Sequence, residues 1–346
     1  MDWFVKSDLL SLVWLCYYLS DMQILNQIRR KATNLKRSIV LPRSSDPRVL
    51  KAAAYLADHE MCFPVLLGNK AEILETCQNE GFRLGKEVSI IQPEKDKRLD
   101  AFSTLVYNKR KHRGITKRKA KTLASDPLYF GACLVETGEA DGCVAGSVST
   151  TAEVLKAAIQ VIGLKPDSKV VSSTFLMSFE DGRTYTYADA AVVPYPDHQQ
   201  LASICMDSAL SHRILTGTEP IVAMLSFSTK GSAEHERIQL IRDALKEVES
   251  RNPDFIVDGE LQFDAAFVES VAKRKAPMSP VAGRANVFIF PNLDSGNIAY
   301  KITERLAGAT ATGPIIQGLN KPMLDLSRGC NWVDIVDTVC VCAVMS

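Results

Sequence analysis

From Arg37 onward the chain alternates short, β-branched, almost wholly apolar runs with longer segments whose apolar residues recur every three or four positions. A strand that is apolar at consecutive positions needs cover on both faces, whereas a half-exposed strand alternates. The pattern therefore predicts an α/β fold in which helices flank largely buried strands. Strands are expected at 38–42, 64–68, 88–91, 142–145, 170–175, 187–193, 220–227, 256–257, 287–290 and 314–317. Helices are expected at 23–31, 47–60, 126–139, 151–162, 197–211, 232–250 and 296–309, the last opening on a turn at 294–297. No internal repeat, low-complexity tract or long linker interrupts the alternation.

A chain of 346 residues makes one large or two medium domains. Turn residues at Gly163–Ser168 mark a change of domain, and Gly308–Gly313 marks the return, so the last strand and helix complete the first domain. The expected division is residues 22–163 with 313–346 as a discontinuous first domain, and 164–312 as the second. Residues 1–21 form an extension. Its apolar stretch, Leu9–Leu19, falls short of the ~20 residues a spanning helix needs, and no small-residue cleavage pattern follows it. Met22 is an alternative translation start, which would leave 1–21 outside the native enzyme.

A formal net charge of +1 points to neither nucleic acid nor a membrane surface, and leaves small molecules as the expected partners. The nine cysteines are scattered singly without C-x-x-C pairs or nearby histidines. That spacing argues against zinc and a disulfide framework, and suits a reducing cytoplasm. Between Asn108 and Lys121 cations cluster. Such a run is either the solvated side of a helix beginning at Thr116 or a patch for a ligand with several phosphates. Nucleic acid is the weaker reading, because no aromatic residues interleave the charges.

More specific sequences then appear in order. They are Arg110–Gly114, Gly138–Gly142 leading to Ser149–Thr151, Tyr187–Pro196, Ser226–Ser232, Asp258–Asp264, Phe290–Tyr300, Gly313–Leu319 and Asp325–Cys330. Together they resemble the phosphate acetyltransferases (phosphotransacetylases) of the phosphate acetyl/butaryl transferase family, over everything after Met22. The resemblance implies a two-domain fold like that of isocitrate and isopropylmalate dehydrogenases, with coenzyme A in an interdomain cleft. It also implies a homodimer, no metal and no permanently bound cofactor. The implied reaction is acetyl-CoA plus phosphate giving acetyl phosphate plus coenzyme A, reversibly, in acetate metabolism.

By the same resemblance Ser327, Arg328 and Asp334 match the family's catalytic serine, arginine and aspartate, and Arg110 matches an arginine associated with coenzyme A. Arg48 and Arg305 align with further family arginines, for which surface salt bridges are an equally good account. Thr150, Thr151, Asn292, Ser295, Gly296 and Asn297 lie in family motifs at helix starts, where backbone N–H groups suit an anion and helix capping explains the same residues. Two positions depart from the pattern. Lys156 stands where the family usually has arginine, keeping the charge but losing the bidentate fork. Thr174 stands where some members have cysteine, which excludes an acyl-cysteine there.

Attack by the thiol of coenzyme A on acetyl phosphate needs a base, since a thiol of pKa ~8.5 is mostly protonated at neutral pH. Asp334, in the first turn of the last helix, is the candidate, with a helix-stabilising carboxylate as the alternative. Arg328 would oppose the charge growing on the carbonyl oxygen and leaving phosphate; a buried ion pair with Asp325 is its alternative. Ser327 is either a donor to the reacting atoms or a loop cap. Cys330 reads as packing. Three rival functions remain: an acyltransferase for longer chains, a dehydrogenase of the same fold, and a non-catalytic module that binds acetyl-CoA.

Overall fold

The computed structural model describes residues 23–346, so the expectations for residues 1–21 fall outside it. The chain is α/β and divides into two compact units, one of Arg29–Ser172 with Pro314–Ser346, the other centred on Ser173–Gly313.

The first unit is built on five strands: β1 (Ser38–Leu41), β2 (Phe63–Leu67), β3 (Ser89–Ile91), β4 (Gly142–Ala145) and β11 (Met323–Asp325). Their order is β11-β4-β1-β2-β3 and every pairing is parallel, with Val40 opposite Val65 and Leu324 opposite Val144. Ile39, Val40, Leu66, Leu67, Cys143 and Leu324 are buried, as continuous apolar runs require. Helices Pro47–Asp58 and Trp332–Met345 pack together, the latter also on β4. A second group, Leu99–Arg110, Pro127–Thr137 and Thr151–Val161, packs together, with Phe102 set edge-on to Phe130, ring centroids 4.9 Å apart.

All of these helices but Leu99–Arg110 start where the sequence supplies caps. Asp46 accepts from the Arg48 N–H ahead of Pro47, and Asp126 from the Leu128 N–H ahead of Pro127. Thr150 and Asn331 each form a capping box, with Glu153 and Asp334 respectively. In this unit β11 and helices Lys70–Asn79 and Leu99–Arg110 were not predicted.

The second unit carries a six-stranded mixed sheet, formed by β5 (Ser172–Ser178), β6 (Thr184–Ala188), β7 (Ile221–Leu225), β8 (Ile256–Leu261), β9 (Val287–Ile289) and β10 (Thr310–Gln317). The order is β10-β5-β6-β9-β7-β8, with β5 and β6 antiparallel and β6, β9, β7 and β8 parallel in turn. Phe175, Tyr187, Phe288 and Phe290 fill its core. The strand expected at 187–193 ends at Ala188, because the Asp189 carboxylate accepts the N–H groups of Ala191, Val192 and Val193 and folds the chain back. The helix expected from Gly296 starts at Leu293, capped by Asn292, so 294–297 form its first turn rather than a preceding one.

Candidate active site

In the first unit, β1 leads on toward β2 and β3 while β4 and β11 lie on its other side. The loops after β1 and β4 therefore part at the carboxyl ends of the strands, the usual ligand crevice of an open parallel sheet. Here Arg48, Ser147 and the Ser327–Cys330 loop come together.

Ser327–Cys330 is a tight turn in which the Cys330 N–H donates to the Ser327 carbonyl at 3.0 Å. Leu326 anchors its start by donating to the Ala145 carbonyl at 2.7 Å. That approach requires Gly146, at φ +114°, since a Cβ there would lie 2.4 Å from the Leu326 carbonyl oxygen. Arg48 fixes the rest. Its Nε and Nη2 hold the Asp46 carboxylate at 3.1 and 2.8 Å. Its Nη1 donates to the carbonyls of Arg328 and Cys330 at 3.0 and 2.6 Å, and Nη2 also to that of Ser147 at 3.0 Å. A guanidinium has five N–H groups, and these contacts use all of them. Arg48, expected at coenzyme A with a salt bridge as the alternative, thus pairs with Asp46 and braces the turn through its carbonyls.

The side chains that the turn presents are exposed. The Ser327 hydroxyl accepts the Gly329 N–H at 3.2 Å and donates to none of the described residues. Arg328 makes no side-chain hydrogen bond or ion pair among the described residues, so the pairing with Asp325 does not form. Asp334, third residue of its helix, accepts the Asn331 N–H through Oδ2 at 2.8 Å; Oδ1 accepts from none of the described residues. The capping role and an available oxygen thus coexist on one carboxylate.

Asp325 instead takes the Thr151 hydroxyl on Oδ2 at 2.5 Å, while its buried Oδ1 has no partner among the described residues. Burial pushes its pKa up to about 6, against the lowering effect of Thr151. Thr151, expected at a ligand, is thus engaged by a buried acid that the sequence reading weighed only as a partner of Arg328. The neighbouring Thr150 N–H is taken by Glu153 at 2.9 Å. Lys156 is exposed on the same helix, and Arg110 lies half-buried at the end of Leu99–Arg110. Cys330 is buried, and desolvation raises its thiol pKa despite Arg48, as suits packing. Thr174 is fully buried and donates to the Tyr187 carbonyl.

The remaining candidates belong to the second unit. The Asn292 side-chain oxygen accepts the Ser295 N–H at 3.0 Å, and the Ser295 hydroxyl returns to the Asn292 carbonyl at 2.9 Å. Asn297 donates to the Ala190 carbonyl at 3.0 Å. Gly296 sits where a Cβ would meet the Asp189 carbonyl oxygen at 2.1 Å. Arg305 is exposed beside Glu304.

Among the described residues no cluster of three His, Cys, Asp or Glu side chains is placed to hold a metal, and no helix is long and apolar enough to cross a membrane.

Residues 23–343 match the family model described as phosphate acetyl/butaryl transferase. The chain is 47% identical to a phosphate acetyltransferase of Thermoanaerobacterium thermosaccharolyticum, covering 94% of this chain and 100% of that protein. It is 42% identical to one of Acetivibrio thermocellus, covering 94% and 98%. Among solved structures, a phosphotransacetylase from Streptococcus pyogenes superposes with a TM-score of 0.89 at 40% identity, covering 93% of this chain and 97% of that one.

Proposed function

We propose, from the premise that this chain belongs to the phosphate acetyl/butaryl transferase family and is an acyltransferase, that it moves acetyl reversibly between coenzyme A and inorganic phosphate. Its substrates are coenzyme A and acetyl phosphate in one direction, acetyl-CoA and phosphate in the other, with no permanently bound cofactor. The observation that carries the mechanism is Arg328: its backbone is pinned by Arg48 while its guanidinium has no partner among the described residues.

Asp334 accepts the thiol proton through Oδ1 as sulfur bonds to the carbonyl carbon of acetyl phosphate. The carbon–oxygen bond to the phosphoryl group then breaks, and phosphate leaves with the electron pair. Arg328 stabilises the charge on the carbonyl oxygen and on that phosphate, with the first turn of Trp332–Met345 adding the positive end of its dipole. Ser327, whose proton is uncommitted among the described residues, donates to the carbonyl oxygen or the sulfur. Transfer is direct, with no acyl-enzyme. Arg110, Lys156 and the exposed Arg305 serve coenzyme A as cations; Thr150, Thr151, Asn292, Ser295, Gly296 and Asn297 contribute mainly by shaping helix starts. The reading extends to a fold of the isocitrate dehydrogenase type, a cytoplasmic homodimer and a role in acetate metabolism.

The test is formation of thioester absorbance from acetyl phosphate and coenzyme A. Replacing Asp334→Asn should lower kcat by about 10²–10⁴, with little change in KM for coenzyme A. An unchanged kcat removes Asp334 from the mechanism. Faster turnover of butyryl than acetyl phosphate would favour the longer-chain reading, and coenzyme A binding without turnover a non-catalytic module.

A further inference from the structure

We propose that Arg43 is a further substrate-binding residue, holding phosphate oxygens of a substrate in a cavity at the carboxyl end of the five-stranded sheet; the assignment rests on the acyl-transfer reading above.

The chain leaves β1 at Leu41, and two residues later Arg43 adopts φ +55°, a left-handed conformation that a residue with a Cβ rarely occupies. The strain is fixed by its neighbour. Ser44 donates its N–H to the Leu67 carbonyl at 3.1 Å and its hydroxyl to the Leu41 carbonyl at 2.5 Å, and accepts the Leu67 N–H at 3.0 Å. The ends of β1 and β2 thereby lock the turn. Glycine would sit there without strain, so an arginine held in this conformation points to a use for its side chain.

The guanidinium is underused. Its one hydrogen bond among the described residues is a long one, Nη2 to the Asp126 carboxylate at 3.3 Å. Its Nε is buried and has no partner among them, a state that calls for a missing ligand or water. The contrast with Arg48, whose five N–H groups are all engaged, is direct. Arg43 lines a cavity of about 450 Å³ together with Ser45, Gly68, Asn69, Glu72 and Val148. These residues come from the loops after β1, β2 and β4 and from the first turn of helix Lys70–Asn79, at the carboxyl ends of the strands where ligands of parallel sheets bind.

The cavity also adjoins the catalytic turn electrically. The Glu153 carboxyl lies below its usual range because of the Thr150 N–H and hydroxyl first, and then because of the charges on Arg43 and Arg328 together. Arg43 and Arg328 therefore both act on one exposed carboxylate. Asp126 and Glu72, the acids facing the cavity, offset part of the charge but leave the planar fork free to take two phosphate oxygens. Those oxygens belong either to acetyl phosphate or to coenzyme A.

Steady-state kinetics of the full chain decide the matter. In Arg43→Gln, KM should rise about tenfold or more for the substrate held, while kcat stays within about threefold; Arg43→Lys should recover part of the loss. A rise confined to acetyl phosphate identifies its phosphoryl group. A rise for coenzyme A but not for dephospho-coenzyme A identifies the 3′-phosphate, and a rise for both identifies the diphosphate. Asp126→Asn, which keeps the helix cap but removes the ion-pair charge, should leave all three KM values within twofold.

Unchanged KM values in Arg43→Gln overturn the proposal. So does an equal effect in Asp126→Asn, or loss of the folded circular-dichroism spectrum in Arg43→Gln, because either makes Arg43 a brace for the loop. Absence of turnover in the unsubstituted chain would instead defeat the acyl-transfer reading. Calorimetric titration of both chains with coenzyme A and with acetyl phosphate would then still test Arg43.

Discussion

Each unit buries an aspartate beside the first turn of a helix, and the two are treated in opposite ways. In the second unit Asp189 is met by the Ser173 N–H and hydroxyl and by the N–H groups of Ala191, Val192 and Val193. In the first unit Asp325 is as deeply buried, yet receives the Thr151 hydroxyl and leaves Oδ1 without a partner among the described residues. A satisfied carboxylate organises its loop, whereas an unsatisfied one costs stability. The cost is borne two residues before Ser327, beside the exposed side chains of Ser327 and Arg328. By contrast, the motif residues near Asp189 bond mostly to one another.

Making the same substitution at both sites tests this contrast, and the larger effect is expected at Asp189. Asp189→Asn places an N–H₂ group among five donors, so at least one buried N–H loses its acceptor. A loss of roughly 2–4 kcal/mol follows, read as a lower denaturant midpoint. A change within about 0.5 kcal/mol would mean that the carboxylate does not organise the 189–193 turn.

Asp325→Asn should act in the opposite direction at neutral pH. The folded pKa of Asp325, about 6, stands above the unfolded value of ~3.9. The folded state therefore holds the proton more tightly. The associated stability is fully present below about pH 4 and lost as pH rises through about 6, on the order of 3 kcal/mol. Removing the ionisable group should make stability flatter between pH 4 and 7, with the variant gaining on the unsubstituted chain as pH rises. Parallel curves for the two chains would show that Asp325 titrates normally. Turnover provides a second reading: if the Thr151–Asp325 contact steadies the turn, kcat falls even as stability rises.

Much of this contrast was hidden in the sequence, for identifiable reasons. The parallel strands were legible because burial on two faces writes continuous apolar runs such as Ile39–Leu41 and Val65–Leu67. The position of Asp334 was legible because a first helical turn is a local event. β11 was missed since Met323–Asp325 ends on a carboxylate and so does not read as an apolar run. Helix Leu99–Arg110 was missed because its apolar face is weak, with only Phe102 and Val106 buried. Arg48 could not be resolved at all: its carbonyl partners lie 99, 280 and 282 residues away. For Asp325, the nearest cation in sequence, Arg328, suggested a partner that the fold does not supply.

The smallest effect is expected at Asn292, and it bears on whether the second helix start touches substrate. Asn292→Ala removes the acceptor of the Ser295 N–H, and loss of such a cap costs about 1 kcal/mol. With its side-chain oxygen already committed to the helix, kcat and both KM values should remain within about twofold. A KM that rises severalfold for coenzyme A or acetyl phosphate, at unchanged stability, would show that the carboxamide meets a ligand through its free N–H₂ group. The two helix starts would then be alike in function and would differ only in how tightly each is braced.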